Sequence, residues 1–131
     1  IALGKGVNDF NIGDMVVSNG PHADLVLVPK NLCEIIPFGV SDESASFTVL
    51  GAIGLQGIRL AEPTLGETFL VSGLGVIGLL TAQLLASQNC DVLAVDPDKE
   101  KCSLAESFGI KTLCLNSKAD PQDWCLAQTN K

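Results

Sequence analysis

Between residues 64 and 115 the apolar positions come in short blocks, each closed by glycine, proline or an acid, and the blocks read as alternating strands and helices. Thr68-Phe69-Leu70-Val71-Ser72 is a β-prone run, and Gly73-Leu74-Gly75-Val76-Ile77-Gly78 follows it at once. An apolar helical stretch comes next, then the second strand, Asp91-Val92-Leu93-Ala94-Val95, which ends at Asp96. Pro97-Asp98-Lys99-Glu100 opens a helix expected to reach about Phe108 and to stop at Gly109, a residue suited to the left-handed position after a helix. Residues 112–115 give a third strand, and Asp120-Pro121-Gln122-Asp123-Trp124 starts a last helix. Strands and helices alternating over short loops predict an α/β fold with a parallel sheet, and three strands amount to half of a doubly wound one.

Residues 1–40 have a different texture. Ile12-Gly13-Asp14 reads as a turn feeding a strand at 15–18, Asn19-Gly20-Pro21 as a second turn, and residues 24–29 as a second strand. A third strand falls within 32–37. This is β-rich material with too few strands for a sheet that stands alone. Helical character begins at 41, where Ser41-Asp42-Glu43-Ser44 supplies a cap and first-turn acids. A second helical stretch is expected from about 52 to 61, ahead of Pro63. Gly51, Gly54 and Gly57 recur on it every third residue, as close packing against a neighbour would require. The turn Pro63-Thr64-Leu65-Gly66-Glu67 leads into the strand at 68.

The strand, glycine turn and helix carry the candidate chemistry. G-x-G-x-x-G is weak alone, but here it leaves a strand, opens a helix and is followed, at the end of the next strand, by an acid about 20 residues on. Gly73 permits the sharp turn, Gly75 leaves room for a pyrophosphate to approach the backbone, and Gly78 allows helix and sheet to pack closely. The amides and positive dipole end of the helix then face the phosphates, so no basic side chain is needed there. Asp96 would accept from both hydroxyls of an adenosine ribose, and its charge would repel a 2′-phosphate, favouring NAD over NADP. Lys99 and Lys101 soften that exclusion. Two plainer readings stand beside these: an ordinary glycine-tolerant strand-to-helix turn, and an Asp96 that only caps the next helix.

Composition narrows the picture. The chain has 131 residues, 47% of them hydrophobic and 18% charged, enough for a buried core and unlike a disordered segment. A net charge of −7 argues against nucleic-acid or anionic-membrane partners, though not against a nucleotide held by backbone dipoles. The longest apolar stretch is interrupted by Gly73, Gly75, Gly78, Thr81 and Gln83, so no membrane span is expected. Five cysteines without a C-x-x-C pair or metal-like cluster, and no signal-peptide pattern, imply reduced thiols in a cytoplasm. The first residues, Ile1-Ala2-Leu3-Gly4, read as cut from a longer chain. His22, the single histidine, is expected to be a hydrogen-bonded loop residue, and Trp124 a core residue.

The order of features resembles the medium-chain dehydrogenase/reductase superfamily, the relatives of zinc-type alcohol dehydrogenases. The matching stretches begin with Phe10-Asn11-Ile12-Gly13-Asp14-Met15-Val16, His22-Ala23-Asp24-Leu25-Val26-Leu27-Val28-Pro29, Ile36-Pro37 and Ser41-Asp42-Glu43-Ser44-Ala45. Gly66-Glu67-Thr68, the Gly73–Gly78 turn, Asp96, Lys99, Lys101 and Phe108-Gly109 continue the set, so the resemblance covers nearly the whole chain. Residues 31–33 and 57–65 are similar to a bacterial branch with a second oxidoreductase module. The resemblance implies that residues 1–40 are the last part of a GroES-like substrate domain, and that residues 41–131 are the first part of a Rossmann NAD(P)-binding domain, with both flanks missing.

On that resemblance the pyrophosphate falls to Gly73, Leu74, Gly75, Val76, Ile77 and Gly78, and the adenosine ribose to Asp96, Pro97 and Lys101. The implied reaction is hydride transfer between NAD(H) and a small alcohol or carbonyl compound, and this stretch alone would be inactive. No catalytic acid or base can be named. Zinc-dependent members carry a cysteine ligand near the position of residues 48–50, and this chain has no cysteine between Cys33 and Cys90, so no zinc is expected. A different class of role also fits: a non-catalytic Rossmann-type assembly module, forming homo-oligomers through the edge that half a sheet leaves unpaired.

Overall fold

A computed structural model describes residues 2–116 and 119–129. The chain forms two compact units, Ile1–Val49 and Leu50–Lys131.

In the first unit, the turn before residue 15 is fixed by Asp14, whose Oδ2 accepts from the Asn11 amide at 2.7 Å. It delivers the chain into β1 (Val16–Ser18), which pairs antiparallel with β2 (Cys33–Ile35), Val17 facing Glu34. Residues 24–29 are not a strand, contrary to the reading of their β-branched run. The partner of β1 is β2, and no ladder forms along 24–29; Leu25 and Leu27 stand exposed. That run passes instead close over Gly20, where an added Cβ would come within 3.1 Å of the Val28 side chain. A short helix, α1 (Asp42–Ala45), starts where Ser41 Oγ accepts from the Ser44 amide, and it buries Ala45.

The second unit is layered around a three-stranded parallel sheet of β3 (Thr68–Ser72), β4 (Asp91–Asp96) and β5 (Lys111–Cys114), in that spatial order. The strand in the middle, β4, is covered on both faces, and its Val92-Leu93-Ala94-Val95 run is continuously apolar because no face is left for water. The helices are α2 (Thr48–Ala61), α3 (Val76–Ser87), α4 (Lys99–Ser107) and α5 (Pro121–Thr129). One core joins Ile58 of α2, Ala82 and Leu85 of α3, Val92 and Ala94 of β4, Cys102 and Ala105 of α4, and Ile110. Half-buried Phe69 and Val71 of β3 lie against it.

Helix ends explain the short connections. After α3, the Cys90 amide donates to Leu85 O and the Asn89 amide to Ala86 O, with Asn89 left-handed at φ 58°. After α4, the Ile110 amide donates to Ala105 O and the Gly109 amide to Glu106 O, with Gly109 at φ 79°. Both are Schellman closures, which reverse the chain towards the next strand within two residues. α2 begins at Thr48, earlier than the 52 expected, and of its three spaced glycines only Gly54 makes a close approach: a Cβ there would sit 2.5 Å from Thr81 Oγ1 on α3. Gly51 and Gly57 face nothing within 4 Å.

Candidate functional site

β3 and β4 run parallel and in register, so both end at the same edge of the sheet: Ser72 pairs with Val95, and Asp96 follows. Open parallel sheets bind ligands at this carboxyl edge. Here the chain leaves β3 at Gly73, whose amide donates to Val95 O at 2.8 Å and whose φ of 93° excludes most side chains. α3 then starts with Gly75 as N-cap, and no side chain caps it. The first-turn amides of Val76, Ile77 and Gly78 donate to no side-chain cap, and Gly75, Val76 and Ile77 are all exposed.

The glycines of the bend have different physical grounds. Gly73 is fixed by its backbone angle. Gly78 is fixed by crowding, since a Cβ there would run into the carbonyl oxygen of Gly73. Gly75 has neither reason: its φ of −65° suits any residue, and a Cβ would meet nothing within 4 Å. The space over Gly75 is a shelf bordered by helix amides and by the positive end of a twelve-residue helix, suited to an anion of pyrophosphate size.

Asp96 lies against this bend. Its Oδ2 accepts from the Leu74 amide at 2.7 Å and its Oδ1 from the Asp98 amide at 2.8 Å, and the residue is 5% exposed. The Leu74 amide, then that of Asp98, hold its carboxyl below the usual carboxylate range; burial opposes them and the Lys101 charge assists. The cap of α4 is Asp98, whose Oδ1 accepts from Glu100 and Lys101 amides, so the plain capping role does not fall to Asp96. Lys101 Nζ lies 3.8 Å from Asp98 Oδ2, on the same first turn. The Pro97 carbonyl accepts from Asn116 Nδ2 and from Cys114 Sγ, which ties the strand end to the end of β5.

All nine residues singled out for a nucleotide thus fall at one end of one unit, although Leu74 differs from the rest. Its side chain is core and its amide is taken by Asp96, so it couples bend to acid and offers no free donor. Sequence reasoning missed the Asp98 amide and Asn116. The Asp-Pro-Asp spacing held a signal for the first, because aspartates often bond the backbone two residues on. Asn116 had none, since only the pairing of β4 with β5 brings it there. A cavity of about 140 Å³, bordered by Thr68, Cys90, Asp91, Ile110 and Lys111, and a more open one of about 620 Å³ beside Gly66, Glu67 and Asp91 lie at the opposite, amino edge of the sheet, away from these residues.

Elsewhere, His22 is exposed in a bend, and its side chain makes no hydrogen bond among the described residues. Trp124 is half-buried on α5. The five cysteines are free thiols; Cys102 is in the core, and burial pushes it up from its ordinary value. Among the described residues no group of three His, Cys, Asp or Glu side chains comes together to hold a metal, and no helix is long and apolar enough to cross a membrane.

A glycine bend, an amide-lined helix start and an anchored acid at the carboxyl edge of a parallel sheet define a Rossmann-like unit. No family model matches the chain. It is 30% identical, over 81% of its length, to an alcohol dehydrogenase of Moraxella sp. (strain TAE123), and 31% identical, over 88%, to the D-guloside 3-dehydrogenase of Escherichia coli (strain K12). It covers 32% and 34% of those proteins, so the chain spans about a third of the length of the relatives it matches. Among solved structures, galactitol-1-phosphate dehydrogenase from Escherichia coli superposes over 98% of the chain and 46% of its own length, at TM-score 0.87 and 24% identity. A mycobacterial protein complexed with NADPH matches 97% of the chain and 41% of its own, at 0.76 and 27%. A protein described as a short chain alcohol dehydrogenase, from Escherichia coli CFT073 and complexed with NADH, matches 79% and 31%, at 0.69 and 26%. The chain belongs to the medium-chain dehydrogenase/reductase superfamily, as an alcohol dehydrogenase-like member.

Proposed function

We propose that residues 41–131 hold NAD(H) for an oxidoreductase that moves hydride between the cofactor and an alcohol or carbonyl carbon. The observation that carries this reading is Gly75: neither backbone angle nor neighbouring atoms require a glycine there, and its bareness makes sense once an outside group rests on it. Gly73 and Gly78 shape the shelf, the amides of Val76, Ile77 and Gly78 face the pyrophosphate, and Asp96 takes the ribose hydroxyls with the oxygen lone pairs its two amide bonds leave over. Pro97 and Lys101 border the adenosine side. When bound, the nicotinamide supplies the hydride acceptor or donor; the chain's share is to grip and orient the adenosine half.

NAD is preferred over NADP in this reading, because a 2′-phosphate would be brought against the anionic Asp96. The dehydrogenases above act on alcohols and sugar derivatives, which supports a hydroxyl-bearing substrate. We assign residues 1–40 to a GroES-like substrate domain and residues 41–131 to the cofactor domain. Catalytic zinc has no place in this reading: the resemblance puts a soft ligand near Thr48, Val49 and Leu50, and none of the three offers a thiolate or imidazole.

Titrating NADH while following energy transfer from Trp124 to the dihydronicotinamide tests the proposal. Saturable binding is expected, tighter for NADH than for NADPH, and unchanged after dialysis against a zinc chelator. A wild-type chain that binds neither dinucleotide would refute it.

A further inference from the structure

Each oxygen of Asp96 accepts from a backbone N–H, and the two amides it holds belong to different elements. Leu74 lies in the bend after β3, while Asp98 is the N-cap of α4. No other side chain among the described residues bonds the bend to the start of α4. Two N–H donors converging on one buried side chain call for an acceptor at each branch, and a carboxylate meets that demand where a carboxamide cannot. An asparagine has one oxygen and one NH2, so whichever way it is turned, one backbone N–H faces another donor. A buried N–H left in that state costs the full desolvation of the group.

We infer that Asp96 is a positioning residue: its carboxylate fastens the glycine bend to the start of α4 and keeps the phosphate shelf formed in the nucleotide-free chain. For its functional meaning this rests on the dinucleotide reading, and it adds a second role to the residue expected to select the sugar. Exchanging Asp96 to change the preference between NAD and NADP would therefore also loosen the pyrophosphate shelf. The titratable neighbours are Asp98, Lys101 and Cys102 from the α4 side and Cys114 from β5; the bend contributes none.

Amide hydrogen exchange and pH titration by NMR on the whole, nucleotide-free chain decide the matter. In the wild type the Leu74 and Asp98 amides should exchange at least tenfold more slowly than free amides. On acidification the Leu74 resonance should move with a midpoint below the ordinary carboxylate range, and part of the Asp98 shift should follow the same midpoint. In Asp96→Asn that titration should vanish at the Leu74 amide, and one of the two amides should exchange at least tenfold faster than in the wild type while the other stays slow. A wild-type Leu74 amide that exchanges freely, or two amides that both stay protected in a folded Asp96→Asn, overturns the inference. Should that variant not fold, the wild-type titration at Leu74 suffices: a Leu74 resonance that shows no midpoint below the ordinary carboxylate range overturns it, and one that does upholds it, because the bend carries no carboxyl group of its own. Protected amides in a chain that binds no NADH would remove the dinucleotide reading and leave the fastening intact. NADH binding with a freely exchanging Leu74 would do the reverse.

Discussion

A methyl group at Gly78 would run into the Gly73 carbonyl oxygen, so Gly78→Ala has to push α3 away from the end of β3. The strain falls on backbone rather than on a yielding side chain, and a loss of about 2 kcal/mol in urea unfolding is expected. Gly75→Asp should behave in the opposite way. Gly75 is the N-cap of α3, has an ordinary φ and faces open space, and aspartate is a better N-cap than glycine by a few tenths of a kcal/mol. Stability should hold or rise slightly while NADH affinity falls at least tenfold, because the new carboxylate occupies the anion shelf. Equal losses of stability and binding in both variants would show that the bend is only structural. Asp96 adds a pH signature. Its native carboxyl titrates below the unfolded value of about 3.9, so its contribution is complete above that value and is lost as pH falls through the lower native one. The stability gap between wild type and Asp96→Asn, followed by urea unfolding, should stay constant from neutral pH to about pH 4 and close below it.

At the scale of elements, α4 depends on a cap that falls to Asp98, where the plainer reading of the sequence offers Asp96. Asp98 accepts from the Glu100 and Lys101 amides, so Asp98→Ala should cost about 1 kcal/mol in chemical unfolding. Its backbone N–H survives that change and still donates to Asp96, so NADH affinity should move little. The neighbouring ion pair with Lys101, on exposed side chains 3.8 Å apart, adds next to nothing. Much of this unit was legible because its signals are local. Strand 68–72 appears as read, Gly109 closes α4 as read, and β4 differs only by taking in Asp96. What was misread depended on partners far away in sequence. Residues 24–29 have the composition of a strand, but composition cannot say whether a second strand lies beside it. The spacing of Gly51, Gly54 and Gly57 promised three contacts, and the line along which α2 meets α3 uses only Gly54. The glycine bend and Asp96 were found as a motif; that Leu74 joins them by its amide became visible only with the backbone in three dimensions.

For the molecule as a whole, the net charge of −7 opposes the approach of a dinucleotide that is itself an anion. If the pyrophosphate is held by fixed amide dipoles over Gly75, attraction acts only at contact, whereas the repulsion from the rest of the chain is long-ranged and open to screening. Salt should then separate this site from one built on lysines or arginines. Between about 10 mM and about 150 mM ionic strength the Debye length falls from about 30 Å to about 8 Å. Over that interval the repulsion fades while the hydrogen bonds at contact persist, so NADH affinity should stay level or rise up to about threefold, an effect within about 0.7 kcal/mol. A site that depended on Lys99 and Lys101 would lose affinity over the same interval, as ion-paired contacts do. Lys101 already lies beside Asp98, which makes it a poor anchor for a phosphate. A steep fall of NADH affinity with salt would move the pyrophosphate off the glycine bend and onto these side chains.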